Sequence, residues 1–133
     1  MSSAKAPTNT RQNISSGAPF EASFGYSRAV KVGPHIHVSG TCAPLGHEKS
    51  DVYTQMKAAL DIIGKALGEA GATWADVVRT VIYVRDINEA DNVGRAHVEI
   101  FGDIRPASTL VQVDSFMRPW QKVEIETYAI LPH

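Results

Sequence analysis

VYTQMKAALDIIGKALGEAGATWADVVRTVIYVRD, residues Val52 to Asp86, changes its apolar period part-way along, and that change decides the fold. After Val52, apolar residues recur at three- and four-residue steps: Met56, Ala59, Leu60, Ile63, Leu67 and Ala70. Such spacing puts them all on one face of a helix. Asp51 suits the helix start, and Gly71 the position just past its end. From Val77 the run VVRTVIYVRD is rich in β-branched and aromatic residues, which predicts a strand over Val77–Asp86. Alternation gives this strand two faces, one with Val78, Thr80, Ile82 and Val84, the other with Val77, Arg79, Val81, Tyr83 and Arg85. The first can pack under the helix. The second is too apolar in its middle to be left entirely in water.

Working outward, Ser27–Val32 and His35–Gly40 read as strands joined by the turn dipeptide Gly33-Pro34, and Ala43–Ser50 as a loop. A second helix is predicted over Glu89–Phe101, with Ala90, Val93, His97, Ile100 and Phe101 inward and Asn88 as its cap. Two more strands, Ser108–Val113 and Val123–Leu131, flank an Arg118-Pro119 turn. This order predicts an α+β fold, a single mixed sheet with two helices packed on one face. The helix-linked strands are expected as parallel neighbours. The opposite face, carrying Val81, Tyr83, Leu110 or Val111, and Ile125 or Glu124, needs a cover, and self-association is the natural one.

The chain has 133 residues, of which 44% are hydrophobic and 20% charged, values of a globular chain about one domain long. Residues 1–10 (MSSAKAPTNT) are small, polar and Pro-containing and read as a disordered tail, leaving residues 11–133 as one domain. Thirteen Lys and Arg against fourteen Asp and Glu give a net charge of −1, which offers no reason to expect nucleic acid or an anionic membrane as partner. The single cysteine, Cys42, cannot form an internal disulfide. With no apolar run of membrane-spanning length and no apolar core in the N-terminal stretch, a reducing, cytoplasmic location is expected.

The segment Gly33 to Gly40 ending in Val38-Ser39-Gly40, the stretch Ala70-Gly71-Ala72 to Asp76, the strand RTVIYVRDIN (Arg79–Asn88), Arg105-Pro106-Ala107, and Val123-Glu124-Ile125-Glu126 together resemble the Rid (YjgF-like) family of reactive-intermediate deaminases. The resemblance runs from about Gly25 to Ile130 and rests on order and spacing rather than on any one piece. It implies a chorismate-mutase-like fold and a homotrimer with clefts between subunits. It also implies hydrolysis of enamines or imines to a 2-oxo acid and ammonia, without a cofactor. The family's pocket tyrosine falls on Tyr26, its Ser-Gly pair on Ser39 and Gly40, and its pocket glutamate on Glu124. The family's carboxylate-binding arginine falls on Ser108, and an asparagine common in its second helix falls on Gly94. A guanidinium grips a carboxylate through two parallel charge-assisted hydrogen bonds, which a serine hydroxyl cannot replace.

Glu124 and Glu126 lie two apart on a strand and share a face. In a desolvating cleft Glu124 can serve as base or water-orienting group; the alternative is a charged pair partnered by Arg79, Arg85 or Lys122. Arg28 and Arg105 are candidates to replace the lost anion grip, or else solvated surface arginines, and Glu21 is a candidate partner for one of them. Tyr26 offers a hydroxyl or a stacking face, or is an interface tyrosine; Gly40 allows close approach to backbone, or merely ends a strand. His35 and His37, with Cys42 and His47 nearby, form a weak start for a metal site, and none is expected. His97 reads as a packed histidine, Cys42 as a small buried thiol rather than a nucleophile, and Trp74 and Trp120 as packing residues. The leading reading is hydrolysis of a reactive imine, enamine or related metabolite. The rival is a non-catalytic trimer that binds a small molecule or a protein, and the Ser108 departure favours it.

Overall fold

The computed structural model describes residues 10–132, so the expected tail lies outside the described residues except for Thr10. Strands β1 (Arg11–Ile14), β2 (Ala29–Val32), β3 (His35–Thr41), β4 (Val77–Val84), β5 (Ala107–Gln112) and β6 (Val123–Ile130) form one mixed sheet in the order β1-β2-β3-β6-β4-β5. Helices α2 (Val52–Glu69) and α3 (Ala90–Phe101) cover one face, and a short α1 (Pro19–Phe24) lies between β1 and β2. The fold is therefore α+β, a single mixed sheet with helices on one face.

Local chemistry explains the principal helix. The Asp51 carboxylate accepts the Thr54 N–H at 2.8 Å, and the chain turns away at Gly71, whose φ of 86° suits a residue without a β-carbon. Val52, Met56, Ala59, Leu60, Ile63 and Leu67 are buried along α2 and share the core with Ile36, Val38, Ile82 and Ile125 from the sheet. Each of the Val, Leu, Ile and Met side chains among them contributes roughly 1.5–3 kcal/mol on burial. Trp74 packs edge-on to Phe101 at 5.3 Å and occupies the space over Gly64, where a β-carbon would stand 2.7 Å from its ring.

The structure corrects the sequence reading at three places. In β4 the register jumps between Val77 and Arg79, a bulge, so Val77 is buried with Thr80, Ile82 and Val84 while Val78 is 44% exposed. Of the helix-linked strands only β4 and β5 are parallel neighbours; β6 inserts between β3 and β4 and pairs antiparallel with both. Asn88 does not cap α3 with its side chain: its own N–H is bound by Asp86 Oδ1 at 3.0 Å, in a turn of 3₁₀ helix over Ile87–Glu89.

The face without helices carries Val81 and Tyr83 from β4, Thr109 and Val111 from β5, and Glu124, Glu126 and Tyr128 from β6. Leu110 and Ile125, named as alternatives for this face, point to the helix side: Leu110 packs against the core and Ile125 is buried in it.

Candidate active site

Two irregularities open a site beside β6. The register of β3 against β6 breaks between Val38 and Thr41, and the break places Gly40 under the side chain of Glu124. A β-carbon built on Gly40 falls inside the Glu124 carboxyl group, whose carbon is 2.9 Å away. Only glycine leaves the carboxylate room. The second irregularity is α1, which starts at Pro19 and stops at Gly25 with φ 83°. It brings Phe20 to the edge of a cavity of about 440 Å³, which Glu124, Gly40, Cys42, Tyr26 and Arg28 also line.

Arg28 is 5% exposed. Its Nη1 donates to Gly40 O at 2.8 Å and Thr41 Oγ1 at 3.0 Å, and its Nη2 to Tyr26 Oη at 3.3 Å. Its Nε donates to Ser16 Oγ at 3.4 Å and pairs with Glu21 Oε2 at 3.6 Å. Burial opposes ionisation of Glu21, but hydrogen bonds from Ser16 and Ser15, with the charge of Arg28, prevail and hold its carboxyl below the usual range. The pair is a neutral strut under the cavity floor.

Glu124 is placed differently. Burial pushes its carboxyl above the ordinary carboxylate value, the Cys42 thiol offsets this in part, the charge of Glu126 adds to it, and Arg28 opposes it. Burial and the same carboxylate push the Cys42 thiol up to about 12, so it is a neutral S–H and not a thiolate nucleophile at physiological pH. The ion-pair alternative for Glu124 does not form among the described residues. Arg79 donates to Thr109 Oγ1, Arg85 to the Pro119 carbonyl and Lys122 to Ser50 O. Glu126 is held instead by the hydroxyls of Tyr83 (2.6 Å) and Tyr128.

Of the residues singled out in the sequence, the fold thus gathers Tyr26, Arg28, Gly40 and Glu124 around one cavity. Ser39, Arg105 and Ser108 stand outside it within a single chain. Ser39 Oγ donates to Ser27 O at 2.7 Å; Arg105 is exposed with φ 56°; Ser108 Oγ accepts from Thr80 Oγ1 at 2.7 Å. His35 and His37 are exposed on β3, His47 bonds Ser50, and no group of three candidate metal ligands occurs among the described residues. Sequence reasoning missed Phe20 and the Met117–Gln121 side of the cavity. Pro19 at the first helical position and Gly25 past the last one were the available signals for α1.

The sequence matches the profile of the family described as Endoribonuclease L-PSP over residues 16–131. The chain belongs to the Rid (YjgF-like) family. A crystal structure of a YjgF-family member from Mycobacterium tuberculosis superposes on this Rid-family chain with a TM-score of 0.86 at 46% identity, covering 91% of this chain and 99% of that one. An uncharacterized Streptomyces coelicolor protein is 38% identical over 122 residues, 88% of this chain and 91% of that one. The human 2-iminobutanoate/2-iminopropanoate deaminase is 31% identical over 112 residues, 79% of each chain. No helix among the described residues of this Rid-family chain is long and apolar enough to cross a membrane.

Proposed function

We propose that the chain hydrolyses a reactive imine or enamine to a carbonyl compound and ammonia, with Glu124 as the proton-transfer group. The observation that carries this reading is the half-buried Glu124 carboxyl, seated on Gly40, raised in pKa by burial and opening onto a cavity. In the carboxylate form Glu124 takes a proton from water as the water oxygen bonds the electrophilic carbon. The carboxylic acid then returns that proton to the imine nitrogen, which gives a carbinolamine. Glu124, again a carboxylate, takes the hydroxyl proton and passes it to the same nitrogen as the C=O bond forms, the C–N bond breaks and ammonia leaves. An enamine joins this sequence once an N–H proton has moved to its β-carbon to give the imine. A positioned base of this kind is worth about 10²–10⁴-fold in rate. Tyr26 and the Gly40 backbone position the substrate, and Arg28 fixes the floor. Leu45 (62% exposed) and Met117 (64% exposed) form an apolar rim, which supports closure of the cleft by a neighbouring subunit in a homotrimer. Ser39, Arg105 and Ser108 belong to that cleft only as residues supplied across the subunit boundary.

The test is ammonia release from freshly generated 2-iminopropanoate. Glu124→Gln should lower kcat by about 10²-fold or more. Because the base works deprotonated and its pKa is raised, kcat/KM should fall on acidification at a pH above the usual carboxylate range. Undiminished turnover in Glu124→Gln removes the assignment. The absence of a guanidinium at Ser108 favours the second reading, a binding trimer without turnover. In that case 2-oxobutanoate raises the melting temperature while no imine is consumed.

A further inference from the structure

The cavity needs a group to hold the far end of its substrate, and the cation that first suggests itself is already committed. Arg28 directs hydrogen bonds from Nη1, Nη2 and Nε to protein acceptors, and Glu21 neutralises its charge, so no two-pronged grip remains free. Arg118 lines the same cavity. Its guanidinium lies over the Phe20 ring, 5.2 Å from the centroid, and no hydrogen bond or ion pair ties it to any described residue. Aromatic stacking of this kind orients the planar fork while leaving its N–H edge available.

The backbone beneath Arg118 is fixed on every side. Gln121, 8% exposed, accepts the Arg118 N–H at 3.1 Å and donates its own N–H to Arg118 O at 3.1 Å. Gln55, with no exposure, donates to Trp120 O at 3.2 Å and accepts the Lys122 N–H at 2.9 Å. Arg85 donates to the Pro119 carbonyl. Two buried glutamines and an arginine therefore hold one short turn. A half-buried cation with a free donor edge, presented by a rigid turn across a cavity from a base, is the arrangement that binds an anionic group.

We propose that Arg118 grips the anionic end of the substrate from within the same chain as Glu124. The assignment rests on the hydrolase reading of Glu124 for the reacting end, but not for the grip itself. It is tested by calorimetric titration of 2-oxobutanoate and of its uncharged amide into the wild-type protein, Arg118→Gln and Arg118→Met. Arg118→Met keeps an unbranched stem over Phe20 should the glutamine variant fold poorly. Wild type should prefer the carboxylate over the amide on the order of tenfold or more. Both variants should lose that preference while holding the amide as before, with Arg118→Lys retaining part of it. A preference that survives in both variants, a wild type that treats the two ligands alike, or one that binds neither, overturns the assignment. Charge preference without ammonia release from any imine removes the hydrolase reading and leaves Arg118 standing. Ammonia release with no charge preference does the reverse.

Discussion

At Gly40 the chain gives up a side chain so that Glu124 can keep its position. Gly40→Ala has no room for its methyl unless the carboxylate swings aside, and its φ does not forbid alanine, so the conflict is one of space alone. We expect a folded Gly40→Ala protein whose kcat falls by about 10²-fold or more, as if the base had been removed. Steady-state ammonia release beside a thermal melt checks this, and full activity would show that Glu124 does its work elsewhere. Cys42 illustrates the same economy. Its thiol stays protonated beside the carboxylate, where a thiolate would add a second negative charge to a desolvated wall.

Among the elements, α2 is where helix propensity and packing disagree. Alanine forms helix better than glycine by about 1 kcal/mol. At Gly64, however, a methyl would meet the Trp74 ring at 2.7 Å, so Gly64→Ala should destabilise by about 1–3 kcal/mol despite the propensity, measured by urea unfolding. On α3, His97 Nε2 lies 3.0 Å from Thr80 Oγ1, and burial holds its pKa below the ordinary value of 6.5. A histidine depressed in the folded state contributes stability above its unfolded pKa and loses it as pH falls through the folded one. Stability should therefore decline on acidification below about 6.5. His97→Gln, which keeps a hydrogen-bonding group without the charge, should flatten that limb in melts from pH 8 to 5.

The elements themselves were largely readable in the sequence, because α2, α3 and the long strands carry strong periods over many residues. What escaped was short or broken. β1 spans four residues and α1 six, too few for a period, and the bulge in β4 slips the alternation by one so that Val77 and Val78 trade faces. The site was half legible. Glu124 and Gly40 could be named from their places on strands and from a family resemblance, and Tyr26 from the resemblance; Arg28 was named as a replacement anion grip, and the structure instead ties it to Gly40, Thr41, Tyr26 and Glu21. Arg118 sits in a turn, where no periodicity tells which way a side chain points; only the tertiary hold of Gln55 and Gln121 on that turn aims it.

For the whole molecule, the helix-free face is where we expect the chain to meet its own copies. Val111 is 43% exposed there, beside the Tyr83, Glu126 and Tyr128 cluster and half-buried Val81. We expect light scattering at micromolar concentration to give the mass of three chains. Val111→Asp, which puts an unpaired charge into that face, should give monomers with reduced ammonia release. A wild-type monomer would remove both the trimer and the idea that a neighbour closes the cleft.

The place of β6 also bears on how the protein is born. As the ribosome delivers the chain, β3 and β4 emerge early, yet the strand that each must clasp is the last of the six to be made. Until Val123–Ile130 arrives, nothing joins β1-β2-β3 to β4-β5, and the edges of β3 and β4 that face the gap lack their partner. The arrival of β6 therefore seats the sheet's centre and Glu124 together. A chain cut short before β6 would lack the centre of its sheet, the core residues Val123, Ile125 and Ala129, and the carboxylate proposed as base, and we expect a cell to meet it as a substrate for chaperones rather than as a weakened enzyme.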